Sequence, residues 1–71
     1  MKNGTLTYNI ERHIGILSTS GSWTTELNFI SWDGRPAKYD IRAWSNDHSR
    51  MSKGICLTEA EAKNLCSLLG E

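Results

Sequence analysis

The sequence predicts an α+β domain in which a four-stranded antiparallel sheet is followed by one C-terminal helix. Three observations support this: four strand-like runs precede residue 58, polar or glycine-containing turns separate them, and a helix-start signature opens the last segment. Because short loops make consecutive strands antiparallel neighbours, the strand order should follow the chain. The 71 residues allow a single domain, 1–71.

The first two runs alternate between apolar and polar residues, as strands do. In the run 6–17 the apolar positions share one parity: Leu6, Tyr8, Ile10, Ile14 and Ile16. Arg12 interrupts that pattern near Gly15, and a β-bulge close to these residues accounts for the interruption. Residues 18–21 are predicted to form a turn, and the second run, 23–32, alternates in the odd register, with Trp23, Leu27 and Phe29 apolar.

The third run, 38–44, follows the turn sequence Asp33-Gly34-Arg35-Pro36. A five-residue connection at 33–37 would pair Trp32 with Lys38, Asn28 with Arg42 and Phe29 with Ile41. Residues 45–52 are polar and should form a loop before a short fourth strand at 53–57.

The end of the chain has the pattern of an amphipathic helix. Thr58 and Glu61 form a capping-box sequence, in which each side chain satisfies a free backbone donor of the other residue. An apolar stripe follows at the helical spacing: Ala62, Leu65, Cys66 and Leu69. Gly70 is suited to end the helix. We expect the stripe to cover the apolar face of the sheet.

Two faces follow from the alternation, named here by residue parity in the second and third strands. The odd face is expected to be core, with Trp23, Leu27, Phe29, Tyr39 and Ile41. The even face is expected to stay open, and carries Asn28, Ile30, Trp32, Lys38, Asp40, Arg42 and Trp44. Aromatic groups on an exposed sheet face are costly unless they meet a ligand.

Single-stranded nucleic acid suits such a face, because bases stack on aromatic rings while Arg and Lys hold the phosphates. Arg35, Arg50 and Lys53 would line the edges. Two other interpretations stay open. Trp32 and Trp44 are equally well explained as buried at a dimer seam or under the loop 45–52, and an aromatic face also serves a protein-interaction adaptor.

The formal net charge is zero, which argues against strong nonspecific binding to a polyanion. The distribution is asymmetric, however. Residues 1–57 carry seven Lys/Arg against five Asp/Glu, and residues 58–71 carry one against three, so the acidic part is the predicted helix.

Nothing in the sequence indicates catalysis, a metal site or a cofactor, because no nucleophile–base pair, phosphate-binding glycine loop or metal-ligand spacing is present. His13 and His48 are isolated along the chain, and Cys56 and Cys66 are expected to be free thiols, Cys66 within the core. Met1 leads directly into polar residues, without a signal peptide or a membrane span, so a cytoplasmic location is expected, nucleoid-associated if the ligand is DNA.

Several motifs resemble the positive-cofactor-four family of transcriptional coactivators. Asp40-Ile41-Arg42 and Lys53-Gly54-Ile55-Cys56-Leu57 occur in the family's order and at similar spacing, followed by a helix. The stretch WTTELNFISWDGRPAKYDIRAW is closer still to the short bacterial members. The resemblance covers nearly the whole chain.

The resemblance implies a curved sheet, a homodimer, and noncatalytic binding of single-stranded DNA in transcription, replication or repair, with transcription or replication proteins as further partners. RNA as the cellular ligand stays open. By position, Arg42 and Lys53 match DNA-contacting cations, Trp32 matches a stacking aromatic, and Arg35 matches a basic residue after the turn. Trp44 lies within one residue of a second stacking aromatic.

The chain also departs from the eukaryotic pattern. Asp33 and Ser52 stand where the eukaryotic form has basic residues, and Thr24, Thr25 and Phe29 leave the second strand without positive charge. These departures predict a weaker phosphate contribution and a larger share of the affinity from stacking.

Overall fold

The computed structural model describes residues 7–70, and it has the predicted α+β architecture. The elements are β1 (Tyr8–Ser20), β2 (Trp23–Trp32), β3 (Lys38–Ser45), β4 (Ile55–Leu57) and α1 (Glu59–Leu69). The strands form one antiparallel sheet in the order β1-β2-β3-β4, as the short loops predicted. Leu6, assigned to the first strand from its parity, lies outside the described residues. Within 7–70, no helix is both long and apolar enough to cross a membrane.

Strand β1 contains three register shifts against β2, where the sequence predicted one bulge. They fall between Ile10 and Arg12, between His13 and Gly15, and between Ile16 and Ser18. Each shift turns the following residues to the other side of the sheet, because side chains alternate along a strand. As a result His13 pairs with Asn28 and lies on the even face. Its parity in the sequence had assigned it to the face that does not carry Tyr8.

The β1–β2 connection is tighter than predicted. Strand β1 runs through to Ser20, which pairs with Trp23, so only Gly21 and Ser22 form the turn. Gly21 has a φ of +59°, in the left-handed region that glycine adopts without a steric penalty. The predicted turn at 18–21 therefore began too early.

The β2–β3 register differs from the prediction by two residues. Phe29 pairs with Tyr39, and Ile30 pairs with Lys38. Asp33 and Gly34 both have positive φ, and the Arg35 N–H donates to the Trp32 carbonyl at 2.9 Å, closing a two-residue turn on its own. Pro36 and Ala37 then carry the chain back to the sheet. Since the shift is even, both faces keep their predicted members.

The C-terminal helix has the predicted caps. The Thr58 hydroxyl accepts from the Glu61 N–H at 3.2 Å, and the Thr58 N–H donates to Glu61 Oε1 at 2.8 Å. At the other end the Gly70 N–H donates to the Cys66 carbonyl. Strand β4 is shorter than predicted, so Lys53 precedes it rather than opening it.

The most deeply buried side chains lie on the even face rather than the odd face, contrary to the sequence-based expectation. Ile30, Trp44, Asn28 and Asp40 are fully buried, all on the even face. The odd-face side chains are only half-buried: Trp23, Leu27, Phe29, Tyr39 and Ile41. Helix α1 contacts β3 and β4 but neither β1 nor β2, and none of its residues is buried, so its stripe does not extend over the odd face of β2 as expected. The expectation of Cys66 as a core residue is wrong for the same reason, since it is exposed.

Gly54 marks a point where the chain before β4 approaches β3 too closely for a side chain. A Cβ at Gly54 would overlap the Cβ of Arg42 and the carbonyl oxygen of Ile41. We expect Gly54→Ala to lower the free energy of unfolding by about 1–3 kcal/mol, the usual cost of overpacking. Thermal and urea unfolding would measure the change.

Gly15→Ala provides the matched control, because a Cβ there meets no atom within 4 Å. Equal stabilities for Gly54→Ala and Gly15→Ala would contradict the close approach of β4 to β3.

Candidate nucleic-acid interface

Four strands supply side chains to the even face. Tyr8 and His13 of β1 join it through their pairing with Trp32 and Asn28. Cys56 of β4 joins it through its pairing with Asp40. The even face therefore includes the seven residues predicted from β2 and β3 together with side chains from both outer strands.

An open pocket of about 310 Å³ lies at the end of the even face nearest the β2–β3 turn. Its lining consists of Trp32, Asp33, Arg35, Pro36, Lys38, Arg42 and Cys56. Four of the eight residues that sequence reasoning assigned to nucleic-acid binding thus meet here: Trp32, Arg35, Lys38 and Arg42. An aromatic ring and three cations around one concavity are the groups that a stacked base and its phosphates require.

Asp40 and Arg42 form a bidentate ion pair beside this pocket. Arg42 Nε donates to Asp40 Oδ1 and Nη2 donates to Oδ2, each at 2.6 Å. The Asp40 side chain is fully buried and that of Arg42 is 13% exposed. Hydrogen bonding to Asp40 raises the pKa of Arg42 above its usual value. The guanidinium also lies 4.6 Å from the centre of the Trp32 ring, within cation–π range.

The Cys56 thiol contacts the same carboxylate. Its Sγ donates to Asp40 Oδ2 at 3.2 Å, and the cysteine is free, as predicted. Burial, together with the hydrogen bond to Asp40, raises the pKa of this thiol. Cys56 therefore remains a neutral thiol near pH 7 and is the third hydrogen-bond donor to the buried Asp40 carboxylate.

The sequence predicted that Trp44 would be exposed on the even face, and this prediction is wrong. Trp44 is fully buried, with the Tyr8 ring 5.5 Å away and the His48 ring stacked at 4.8 Å, 14° from parallel. His48 belongs to the polar loop, so of the two interpretations left open for Trp44, burial under that loop is the one observed. Asn28 is buried for a related reason, because β1 places His13 over it.

A polar cluster surrounds Glu26 at the other end of the even face. The buried Glu26 carboxylate accepts from Thr24 at 2.6 Å and lies 3.0 Å from His48 Nε2 and 3.6 Å from His13 Nδ1. Burial raises the pKa of Glu26, but the hydrogen bonds from Thr24, Asn28 and His48 outweigh it and hold the pKa below its usual value. The two histidines, isolated in the sequence, thus meet around one carboxylate.

The remaining predicted residues lie away from the pocket. Arg50 is exposed, and its guanidinium lies 5.9 Å from the ring of Trp23, an odd-face residue. Lys53 is exposed in the segment before β4 and does not line the pocket.

Sequence reasoning missed two contributors to the interface. Tyr8 has apolar parity in the first run and shares a face with Trp32, but that run gave no sign that it would lie beside both Trp32 and Trp44. Cys56 was assigned only to a strand. Cys56 pairs with Asp40, so knowledge of the β3–β4 register would have placed it on the even face.

Glu26 gives the fold a defined acid sensitivity. Because its folded-state pKa is lowered, the stabilisation it provides is complete above the unfolded-state value near 4.5 and is lost as the pH falls through the lower folded-state value. We expect Glu26→Gln to lower the free energy of unfolding at pH 7 by about 1–3 kcal/mol, since buried partners lose a charged acceptor. Urea unfolding between pH 7 and pH 3 measures this.

The same substitution should reduce the decline in stability between pH 5 and pH 3. A decline as steep as that of the unsubstituted protein would show that Glu26 is not the group responsible.

Comparison with known proteins identifies the family of the chain. The family model described as Transcriptional Coactivator p15 (PC4) matches residues 19–68, which contain β2, β3, β4 and most of α1. The chain is also similar to an uncharacterized protein of Treponema pallidum (strain Nichols), with 59% identity over 63 residues, covering 87% of this chain and 74% of the relative. The chain therefore belongs to the Transcriptional Coactivator p15 (PC4) family.

Proposed function

We propose that this protein is a noncatalytic, sequence-tolerant single-stranded-DNA-binding protein that assists transcription, replication or repair at the bacterial nucleoid. The observation that carries the proposal is the pocket in which Trp32 meets Arg35, Lys38 and Arg42. Membership of a family of DNA-binding coactivators supports it. Base stacking on aromatic rings and phosphate contacts by cations together give sequence-tolerant binding.

The cations near the pocket have two different roles, phosphate contact and support of the Trp32 ring. Arg35 and Lys38 are exposed, and neither forms a salt bridge within residues 7–70. They are therefore available to phosphates, as is the exposed Lys53 at the margin of the sheet. The charge of Arg42 is already balanced by Asp40, and its Nη1 also donates to the Ser52 carbonyl at 3.5 Å, so its main contribution is to hold the Trp32 ring.

Two carboxylates lie close to the pocket, and the surrounding cations outweigh them. Asp40 is buried and neutralised by Arg42. Asp33 lines the pocket, and its Oδ1 accepts from both the N–H and the hydroxyl of Thr7. These hydrogen bonds lower the pKa of Asp33, so its carboxylate stays charged, and the two exposed cations Arg35 and Lys38 outweigh it by one charge. A chain of zero net charge can thus present a locally basic pocket.

Replacing Trp32 with Ala should weaken binding of a dye-labelled oligo-dT strand by about 1–3 kcal/mol, because one stacking surface is lost. Fluorescence anisotropy at low and at moderate salt measures the affinity, beside a duplex and an RNA strand of the same length. Trp23→Phe is the matched control, since it removes an indole from the odd face but keeps an apolar aromatic ring there, and it should bind as the unsubstituted protein does.

Equal affinity for Trp32→Ala and the unsubstituted protein would argue against stacking at this site. If the unsubstituted protein bound no nucleic acid even at low salt, the proposed function would fail and the protein-adaptor alternative would take its place.

We also propose that the working unit is a homodimer formed through the odd face and α1. Phe29, Tyr39 and Ile41 are only half-buried in the single chain. On α1, Leu68 and Leu69 are 71% and 76% exposed. A chain of this size has little core of its own, and oligomerisation is a common way to bury the remainder.

Leu69→Glu should shift the protein toward monomer, because the substitution places a charge within the apolar stripe of α1. Sedimentation equilibrium over a range of protein concentrations measures the dissociation constant, which we expect to rise at least about tenfold, equivalent to 1.4 kcal/mol. Asn64→Glu adds the same charge to an exposed position outside the stripe and controls for charge alone. A dimer undisturbed by Leu69→Glu would contradict this interface.

A further inference from the structure

We propose that Tyr8 is a base-stacking residue of the even face, adjacent to Trp32, and that Trp44 serves as its buried support. The inference rests on the proposed single-stranded-DNA binding and assigns part of it to the N-terminal strand. Tyr8 lies outside residues 19–68, the span that the family model matches.

Exposure distinguishes the two rings. Tyr8 is 38% exposed, whereas Trp44 is fully buried between Tyr8 and His48. A base cannot stack on Trp44 unless one of these two rings moves away. It can reach Tyr8 in the arrangement observed.

The position of Tyr8 relative to Trp32 fits two consecutive stacking sites. Their ring centres are 5.4 Å apart, with 46° between the ring planes. The Tyr8 ring is likewise tilted by 54° against Trp44, so neither indole stacks flat against it. Tilted contacts of this kind hold an aromatic ring in place while leaving part of its surface free. Trp32 lines the basic pocket, so a strand with its phosphates in the pocket would pass close to Tyr8.

Tyr8 is also held in place before any ligand arrives. The neighbouring Thr7 makes three hydrogen bonds with Asp33: the Asp33 N–H donates to the Thr7 carbonyl at 2.9 Å, and the Thr7 N–H and hydroxyl donate to Asp33 Oδ1 at 3.1 and 2.8 Å. Strand pairing sets Tyr8 opposite Trp32. The β2–β3 turn thus fixes the start of β1, and a ring fixed in advance loses less entropy when a base stacks on it.

Two substitutions separate stacking from simple coverage of Trp44. Leu keeps an apolar side chain over Trp44 but removes the aromatic ring, whereas Phe keeps the ring. We expect Tyr8→Leu to bind oligo-dT about five- to 150-fold more weakly, the range typical of losing one base–aromatic stack. Tyr8→Phe should recover most of that loss. The slope of log affinity against log salt concentration should stay the same in both, since no phosphate contact is removed.

The outcomes distinguish this inference from the proposed function. If Trp32→Ala loses affinity and Tyr8→Leu does not, the function stands and Tyr8 is only a cover for Trp44. Tighter binding by Tyr8→Leu would show that Tyr8 obstructs Trp44, and would also overturn the inference. If neither the unsubstituted protein nor any variant binds, the proposed function itself fails.

A second measurement does not depend on the stability of the Leu variant. Irradiation of the unsubstituted protein with an oligonucleotide that contains 5-iododeoxyuridine attaches the base to the aromatic side chains on which it stacks. Mass spectrometry of the digested complex should find the attachment at Tyr8 as well as at Trp32. Attachment at Trp32 or Trp44 without Tyr8 would overturn the inference.

Discussion

The ion pair between Asp40 and Arg42 is the interaction on which the rest of the even face depends. A carboxylate with no exposed surface is tolerated only when its charge is matched and its oxygens are hydrogen-bonded. Two Arg42 donors and the Cys56 thiol meet that requirement. The same contacts hold the guanidinium over Trp32, and the glycine at position 54 lets the chain before β4 come close to Arg42. The pocket therefore takes its shape from a buried charge.

This constraint changes what the family pattern implies for Arg42. The resemblance assigns it to phosphate contact, but its charge is already committed to Asp40. Substituting Arg42 would remove a cation and also leave a buried carboxylate unpaired, which commonly costs about 3–5 kcal/mol. Arg35 and Lys38 are free of such ties within the described residues, and they report on phosphate binding more directly.

Much of the fold could be predicted because its signals are local. The Thr58–Glu61 capping box begins the helix where its sequence indicates, and the alternation in β2 and β3 assigns the two faces correctly. The register of β2 and β3 could not be obtained from loop length, because the turn at Asp33-Gly34 closes on Trp32 and leaves Pro36 and Ala37 unpaired. The three register shifts in β1 could not all be predicted either, because the apolar alternation is interrupted at only one residue, Arg12.

The candidate site was predicted in part for the same reasons. Trp32, Arg35, Lys38 and Arg42 come from one hairpin, and their meeting follows from the turn between them. The burial of Trp44 and Asn28 depends on Tyr8, His13 and His48, which arrive from a bulged strand and a loop that alternation does not describe. Which face is buried was also beyond the sequence pattern, because α1 meets only β3 and β4.

The most direct test of the account follows the three tryptophan indole N–H signals by NMR while oligo-dT is added. Trp32 and Trp44 lie on the even face and Trp23 lies on the odd face, so each protein sample contains its own reference. If single strands bind on the even face, the Trp32 signal moves most, Trp44 follows through its contact with Tyr8, and Trp23 stays nearly constant. Movement of Trp23 alone, or of no indole at all, would contradict binding of single strands on the even face.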